Sequence, residues 1–283
     1  MTADVTGFSA EWLDRREPAD HRSRNRKLER ALAKHFDGWR PITVVDLGCG
    51  TGSNLRATAP LLGPEQHWTL VDRDQALLDA AVPRLTTWAD GWDGGGDKLA
   101  LFKGHKRIDV TFRRADLADG LDAALGPAAH LVTAAALFDL VSAPFIGRFT
   151  AALAARKSAF YTVLTYDGDQ RWTPAHPADA AMTEAFHNHQ GRDKGFGPAA
   201  GPAAPDLLSE SFAGAHYTVR EADSAWRLTE ADTALIGDLA QGFAAAVAET
   251  GAVEAASIAS WRALARTGAV VGHTDTLALP PLR

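Results

Sequence analysis

A glycine-rich segment follows the first strongly apolar run of the chain. Residues 42–45 are followed by Asp46 and then by glycines at alternate positions, Gly48, Gly50 and Gly52. This order predicts a strand, a tight turn and a helix start. Such a turn presents backbone N–H groups and the positive end of a helix dipole to an anionic ligand group. Dinucleotide-binding turns instead have the spacing G-x-G-x-x-G, so the alternating glycines favour another ligand.

An acidic group also ends the next predicted strand. The apolar run 67–71 is followed by Asp72, Arg73 and Asp74. A carboxylate at the tip of the second parallel strand can accept the protons of both hydroxyls of a ribose diol. Two further runs, 108–114 and 130–137, reach Asp116 and Asp139. Four predicted strand ends in this order are a much stronger indication of a nucleotide-type binding sheet than the glycine loop alone.

The pattern D-x-G-x-G-x-G from Asp46 to Gly52, with Asp72 ending the next strand, resembles the class I S-adenosylmethionine-dependent methyltransferases. The resemblance covers residues 39–166. It implies S-adenosyl-L-methionine as cofactor, an acid at 116 on the adenine amino group, an apolar neighbour against the ring, and residues 134–138 beside the methionine part. The predicted cofactor-binding residues are Asp46, Gly48, Gly50, Gly52, Asn54, Asp72, Arg73, Asp116, Leu117 and Ala134.

These residues require a sheet with helices on both faces. The order of predicted strands and helices indicates an α/β fold with a doubly wound, mostly parallel sheet. The resemblance implies seven strands in a Rossmann-like methyltransferase arrangement, the last of them antiparallel. We divide the chain into an N-terminal helical segment (1–38), a cofactor-binding core (39–166), a helical and loop cap insertion over the acceptor site (167–214), and a C-terminal part of the core with two helices and a final strand (215–283).

Local patterns predict several element boundaries. Leu28, Leu32 and Phe36 recur at helical spacing before the first strand. Ser142 is expected to cap a helix, and Pro83 to kink or shorten the one that follows Asp74. The fifth strand is expected over 159–164, and residues 90–97, rich in glycine, as a flexible insertion.

The densest polar cluster lies at 185–197, inside the predicted cap. A hydroxyl acceptor must lose a proton near neutral pH, and histidine is suited to take it. The predicted catalytic residues are therefore His187, His189 and Tyr166, with Asp167 as a further candidate at the carboxyl end of the fifth strand. Methyl transfer to an unprotonated amine needs no base, so a substrate-binding role or a solvated loop remains open for the histidines. Their i, i+2 spacing suits a zinc pair poorly, and we predict no metal.

Composition excludes several classes of protein. The 283 residues carry a net charge of −6, which gives no general attraction to nucleic acid or anionic membranes. The basic run 21–27 is short and predicts a solvated helix face, or a lid in which Arg22 or Arg26 meets the cofactor carboxylate. No apolar segment reaches the length of a membrane span, and the one cysteine, Cys49, forms no internal disulfide. We expect a cytoplasmic protein, with a homodimer left open.

The sequence thus predicts a methyltransferase acting on oxygen or nitrogen of a small-molecule acceptor. Two alternatives stay open: a nicotinamide-dependent oxidoreductase on a similar sheet, and a non-catalytic cofactor-binding protein of the same fold. Methylation of nucleic-acid adenine is disfavoured because residues 134–137 lack the Asn/Asp-Pro-Pro-aromatic tetrad of that group.

Overall fold

The computed structural model describes residues 8–127 and 129–281. The first seven residues of the predicted N-terminal segment, residue 128, and the last two residues of the predicted C-terminal part therefore lie outside the described residues.

Ten α-helices are present in the described ranges. They are α1 (Ala10–Ser23), α2 (Arg26–His35), α3 (Ser53–Thr58), α4 (Gln75–Trp88), α5 (Leu117–Leu125), α6 (Ala143–Arg156), α7 (Asp179–Gln190), α8 (Ala204–Gly214), α9 (Thr233–Ala248) and α10 (Ala255–Ala263). Ser142 caps α6 as predicted, because its side chain accepts a hydrogen bond from the N–H of Phe145. The prediction that Pro83 shortens α4 was wrong, since the helix continues to Trp88.

The strands form a single sheet. They are β1 (Ile42–Leu47), β2 (Glu65–Asp72), β3 (Gly91–Gly95), β4 (Lys98–Lys103), β5 (Lys106–Arg114), β6 (Leu131–Ala135), β7 (Ala159–Thr173), β8 (Thr218–Asp223), β9 (Trp226–Leu228) and β10 (Gly268–Leu279). Their order is β3-β4-β5-β2-β1-β6-β7-β10-β8, and β9 also pairs with β10.

The α/β prediction is confirmed, but the described part of the chain has ten strands rather than seven. The five strands β5, β2, β1, β6 and β7 pair in parallel, and β10 is antiparallel to both β7 and β8. The additional strands are the β3–β4 hairpin on the β5 edge and the short β9. The insertion at 90–97 is therefore largely a β-hairpin rather than a flexible loop.

Strand β7 is much longer than the predicted 159–164. Its first five residues pair with β6, whereas the strand continues to Thr173 along the N-terminal half of β10. This extension projects beyond the carboxyl edge of the parallel strands and leads into α7. The cap region therefore begins with a strand.

Helices cover both faces of the sheet. One apolar layer joins the sheet to α2, α4, α7, α9 and α10, and the other joins it to α5, α6 and α8. Leu28, Leu32 and Phe36 are buried in the first layer, as their spacing predicts. Within the described ranges, no helix combines the length and apolar character needed to cross a membrane.

Candidate active site

The glycine loop has the backbone conformation that its sequence requires. Gly48, Gly50 and Gly52 all have positive φ angles, of 62°, 51° and 78°. L-residues with side chains rarely adopt this conformation, so the turn depends on glycine. A Cβ on Gly50 would lie 2.8 Å from Leu13 Cδ1, and one on Gly52 would lie 3.2 Å from Leu85 Cδ2. The loop therefore needs glycine for its backbone conformation, and a side chain at Gly50 or Gly52 would also require Leu13 or Leu85 to move.

Asp72 lies beside this loop at the end of β2. Its Oδ2 accepts a hydrogen bond from the Gly50 N–H at 2.9 Å, and its Oδ1 accepts one from the Asp74 N–H at 3.0 Å. Burial raises the pKa of Asp72 despite these two amides. Each carboxylate oxygen has a second lone pair, so the group can still accept ligand hydroxyls. The structure thus brings the predicted loop and the predicted acid together.

Asp46 and Asn54 lie beneath the loop. Asp46 Oδ1 accepts from Asn54 Nδ2 at 2.6 Å and from Thr133 Oγ1 at 2.8 Å. Arg24 donates to Asn54 Oδ1 at 2.9 Å. Burial raises the pKa of Asp46 to about 6, against the lowering effect of its two hydrogen bonds. These contacts tie β1, β6 and the start of α3 together, so both residues hold the loop from below.

The remaining predicted cofactor residues lie at neighbouring strand ends. The side chain of Asp116 caps α5 by accepting from the Ala118 N–H at 2.9 Å. Leu117 and Ala134 are buried in the apolar layer formed with α5, α6 and α8. The carbonyl of Arg73 accepts from Arg114 Nε at 3.1 Å. All of these residues follow or end the parallel strands on the carboxyl side.

Helix α1 covers the glycine loop from outside the sheet. Besides the contact of Leu13 at Gly50, His21 Nε2 lies 3.0 Å from Ser53 Oγ, and Glu17 forms an ion pair with Arg56. The two arginines considered for a lid instead meet protein carboxylates, since Arg22 pairs with Asp232 and Arg26 with Glu29. The cover over the loop is therefore the face of α1 that carries Leu13, Glu17 and His21.

Two of the three predicted catalytic residues contact each other. Tyr166 Oη lies 3.0 Å from His187 Nε2. Burial lowers the pKa of His187 and raises that of Tyr166, so both groups are neutral at pH 7. His189 projects from another side of α7, where its Nε2 lies 2.9 Å from Glu249 Oε2. Asp167 accepts from the Asp169 N–H and packs against Gly272.

Part of the predicted cap reaches across the sheet edge. Asp193 Oδ1 accepts hydrogen bonds from the N–H groups of Gly195 and Gly197, which closes a compact turn. A Cβ on Gly195 would lie 3.7 Å from Arg73 Nη1, and the Phe196 ring is 4.8 Å from that of Phe145 on α6. The turn therefore extends from the end of β2 to the start of α6.

Asp139, the acid after the fourth predicted strand, is buried and is not one of the predicted site residues. It lies in a 3₁₀ turn (Phe138–Leu140) after β6, and its Oδ2 accepts from Gln190 Nε2 at 3.0 Å. Burial raises the pKa of Asp139 to about 6. The pKa is lowered in part by the charge of Arg16 and by hydrogen bonds from Gln190 and from the backbone amides of Asp139 and Tyr166. The partner Gln190 is 51 residues away in sequence, so spacing alone gave no indication of the pair.

A second polar group lies between α1, β9 and β10. Arg16 pairs with Asp20 at 2.9 Å, and Asp20 also accepts from Trp226 Nε1 at 3.1 Å. The Arg16 guanidinium lies 5.1 Å from the centre of the Trp226 ring, which is 5.2 Å from that of His273. Burial and the charge of Arg16 lower the pKa of His273 to about 3, so its ring is neutral. None of these residues was predicted to belong to the site.

The described residues contain no group of three or more His, Cys, Asp or Glu side chains arranged to hold a metal ion. Cys49 is buried in the glycine loop, and burial raises the pKa of its thiol. A neutral, buried thiol is a packing group rather than a nucleophile.

No protein-family model matches the chain, and no curated protein matches its sequence. Solved structures are similar to it over nearly their whole length. A cyclopropane-fatty-acyl-phospholipid synthase-like protein from Lactobacillus casei is 16% identical with a TM-score of 0.53, over 97% of this chain and 96% of that chain. The cyclopropane synthase MmaA2 from Mycobacterium tuberculosis is 12% identical with a TM-score of 0.51, over 98% of this chain and 100% of that chain.

A protein from Bacillus halodurans that is provisionally named a methyltransferase is 13% identical with a TM-score of 0.51, over 89% of this chain and 98% of that chain. At such identities the likeness concerns the fold. The chain therefore has the class I S-adenosylmethionine-dependent methyltransferase fold.

Proposed function

We propose that this protein is an S-adenosyl-L-methionine-dependent methyltransferase that acts on oxygen or nitrogen of a small-molecule acceptor. The observation that carries the proposal is the glycine loop with Asp72 bonded to it, placed on a sheet whose strand β10 is reversed between β7 and β8. The buried, reduced Cys49 supports a cytoplasmic location.

The residues of the loop fit this cofactor. Three left-handed glycines give the loop a tight turn that other residues rarely adopt, and Asp72 supplies a carboxylate for a ribose diol. Asp116 and Leu117 would meet the adenine ring, while Asp46 and Asn54 hold the loop in place. When bound, the cofactor supplies an electrophilic methyl group on a sulfonium. The fold's main contribution is then to hold the acceptor in line with that group.

The acceptor side would be formed by the cap. Tyr166 and His187 face each other at the base of the β7 extension, and the turn at 193–197 covers the carboxyl edge of the sheet. A neutral His187 can accept a hydrogen bond from the acceptor or from Tyr166. These contacts support Tyr166 and His187 as acceptor-site residues. They give less support to His189, which is engaged by Glu249.

A nicotinamide-dependent oxidoreductase is the second candidate. The doubly wound dinucleotide fold has the strand order 3-2-1-4-5-6 and the spacing G-x-G-x-x-G. This chain differs in both respects, because β10 is inserted in reverse orientation and its glycines alternate. A non-catalytic binding protein would keep the loop but would show no turnover.

A transfer assay tests the proposal. The protein is incubated with S-adenosylmethionine and a set of simple amines, phenols and alcohols, and formation of S-adenosylhomocysteine is followed together with the methylated product. We expect S-adenosylhomocysteine and product in equal amounts with at least one acceptor. Binding of the cofactor without transfer to any acceptor would favour the non-catalytic alternative.

A further inference from the structure

Asp139 is a buried carboxylate that forms no ion pair with any described residue, although the charge of Arg16 acts on it. It is 7% exposed, its Oδ1 has no hydrogen-bond partner, and it forms no ion pair within residues 8–127 and 129–281. An unpaired charge in the interior is costly, so such groups concentrate at functional sites. Asp275, another buried acid, differs because its two oxygens accept from the backbone N–H groups of Leu164 and Asn25. Both oxygens of Asp275 thus have backbone donors at hydrogen-bond distance, whereas Asp139 Oδ1 has no partner at that distance.

Gln190, which is bonded to Asp139, has a second acceptor atom without a hydrogen-bond partner among the described residues. Its Nε2 must face the carboxylate because only the N–H₂ end can donate, which leaves Oε1 free. This Oε1 is buried and has no partner among the described residues. Gly201, with a φ of 54°, lies next to it, since a Cβ there would be in ordinary contact with Oε1 at 3.8 Å. Two buried acceptor atoms, on side chains that are bonded to each other, therefore lack hydrogen-bond donors among the described residues.

The pair borders the proposed cofactor loop. Leu137, two residues before Asp139, packs beside Gly48 in the loop: a Cβ on Gly48 would lie 3.4 Å from Leu137 Cδ1. On the other side, the backbone amide of Tyr166 acts on the Asp139 carboxylate, and the Tyr166 side chain reaches His187. Asp139 thus lies between the glycine loop and the predicted acceptor residues.

The charges around Asp139 indicate which ligand group could bind to it. Arg16, whose charge acts on Asp139, forms its ion pair with Asp20, and the His273 and Tyr166 side chains are neutral, so none of these residues forms an ion pair with the Asp139 carboxylate. An ammonium group would neutralise it. An ammonium also has several N–H donors for the two unmet acceptors, whereas a hydroxyl has one.

We propose that Asp139 and Gln190 bind the amine of the methyl acceptor, so that the enzyme is an N-methyltransferase. This inference rests on the proposed function and narrows its substrate to a primary or secondary amine. Asp139 Oδ1 and Gln190 Oε1 accept N–H bonds from the bound ammonium, and Gln190 Nε2 keeps the carboxylate oriented.

The chemical step follows from this binding. The ammonium gives one proton to Asp139 Oδ1, which frees the nitrogen lone pair. That lone pair forms the new N–C bond while the methyl carbon–sulfur bond breaks and its electron pair stays on sulfur. The product leaves as a methylated ammonium, and Asp139 then releases its proton to solvent.

Thermal unfolding tests whether the Asp139 carboxylate stabilises the fold or is free to serve ligand binding. We expect Asp139→Asn to unfold at pH 8 at the same temperature as the wild type or higher, because Asn can keep the Gln190 bond and removes a buried charge. The matched control, Asp275→Asn, must place an N–H₂ group against a backbone N–H and should unfold at a lower temperature. If the unfolding temperature of Asp139→Asn falls by as much as that of Asp275→Asn, the proposal is overturned.

Transfer to matched acceptors tests the substrate class. The probes are benzylamine, 2-phenylethylamine and cyclohexylamine, each beside the alcohol of the same skeleton. We expect methylation of amines only, and a fall in kcat/KM of about 100-fold or more in Asp139→Asn, the scale of a general base. The KM for S-adenosylmethionine should stay unchanged. Glu184→Gln, on the exposed face of α7, should behave as wild type.

Two outcomes would overturn the amine assignment: transfer to the alcohols in preference to the amines, or no transfer to any amine by a protein that binds S-adenosylhomocysteine. Failure to bind S-adenosylhomocysteine at all would instead remove the proposed function, so calorimetry with this product separates the two failures.

Discussion

At the scale of single residues, we propose that cofactor binding depends most on Asp72. Its carboxylate bonds to the Gly50 amide and would also serve the ribose hydroxyls. Hydrogen bonds to a charged group contribute about 1.5–3 kcal/mol each. We therefore expect Asp72→Ala to weaken S-adenosylhomocysteine binding by roughly 100-fold, as measured by calorimetry. Asp79→Ala, on the exposed part of α4, is the control; an equal affinity in both variants would refute the role of Asp72.

The two histidines of α7 should behave differently when replaced. His187→Gln removes the group bonded to Tyr166 Oη, and we expect kcat/KM for the acceptor to fall by about tenfold or more. His189→Gln removes the contact with Glu249, a partly exposed pair of the kind that contributes about 0–1 kcal/mol. Steady-state kinetics on both variants tests the distinction. If kcat/KM falls further in His189→Gln than in His187→Gln, the cap must be arranged differently during catalysis.

Asp46 makes stability depend on pH. Its pKa is raised from 3.8 to about 6 in the folded protein, so the proton it binds stabilises the fold below pH 3.8, and this contribution is lost as the pH rises through about 6. A shift of this size corresponds to roughly 3 kcal/mol. Urea unfolding of wild type and Asp46→Asn from pH 4 to 7 should show the wild type losing about that much relative to the variant. A constant difference across the range would contradict the buried position of the carboxylate.

Residue identity predicted some of these positions better than others. The glycines and Asp72 could be predicted because a positive φ and a strand-end acid depend on residue type and local order. Asp139 could not, since its partner Gln190 comes from the cap. His187 and His189 could not be ranked until the orientation of α7 was known.

At the scale of elements, α1 closes the glycine loop. Glu17 pairs with Arg56 at the loop, and Leu13 lies over Gly50. We propose that this helix helps to retain a ligand bound on the loop. We expect Glu17→Gln to speed the dissociation of S-adenosylhomocysteine by about five- to tenfold, since hydrogen bonds to charged groups are worth about 1.5–3 kcal/mol and part of this loss is recovered by water. Stopped-flow displacement measures the rate.

The control for α1 is Arg15→Gln, which breaks an exposed pair with Asp238 on the same helix. It should change the dissociation rate by less than twofold, because exposed ion pairs contribute little. Equal rates for both variants and the wild type would show that α1 does not retain the ligand.

Element boundaries were predicted well where periodicity was strong and poorly where pairing was long-range. The parallel strands and α6 follow from apolar runs and a cap. The extension of β7 contains Asp167, Gly168 and Asp169, whose low strand propensity favours a loop. It becomes a strand because β10 pairs with it. The glycine-rich β3 is likewise a strand only because β4 pairs with it.

At the scale of the whole molecule, the central claim is that the chain binds S-adenosylmethionine and not a nicotinamide cofactor. The alternating glycines and Asp72 predict this preference, and the reversed β10 distinguishes the sheet from a dinucleotide-binding one. Isothermal titration calorimetry of the full chain with S-adenosylhomocysteine and, separately, with NAD tests it most directly. We predict saturable one-to-one binding of S-adenosylhomocysteine and none of NAD. Tight NAD binding with no heat from S-adenosylhomocysteine would contradict the account.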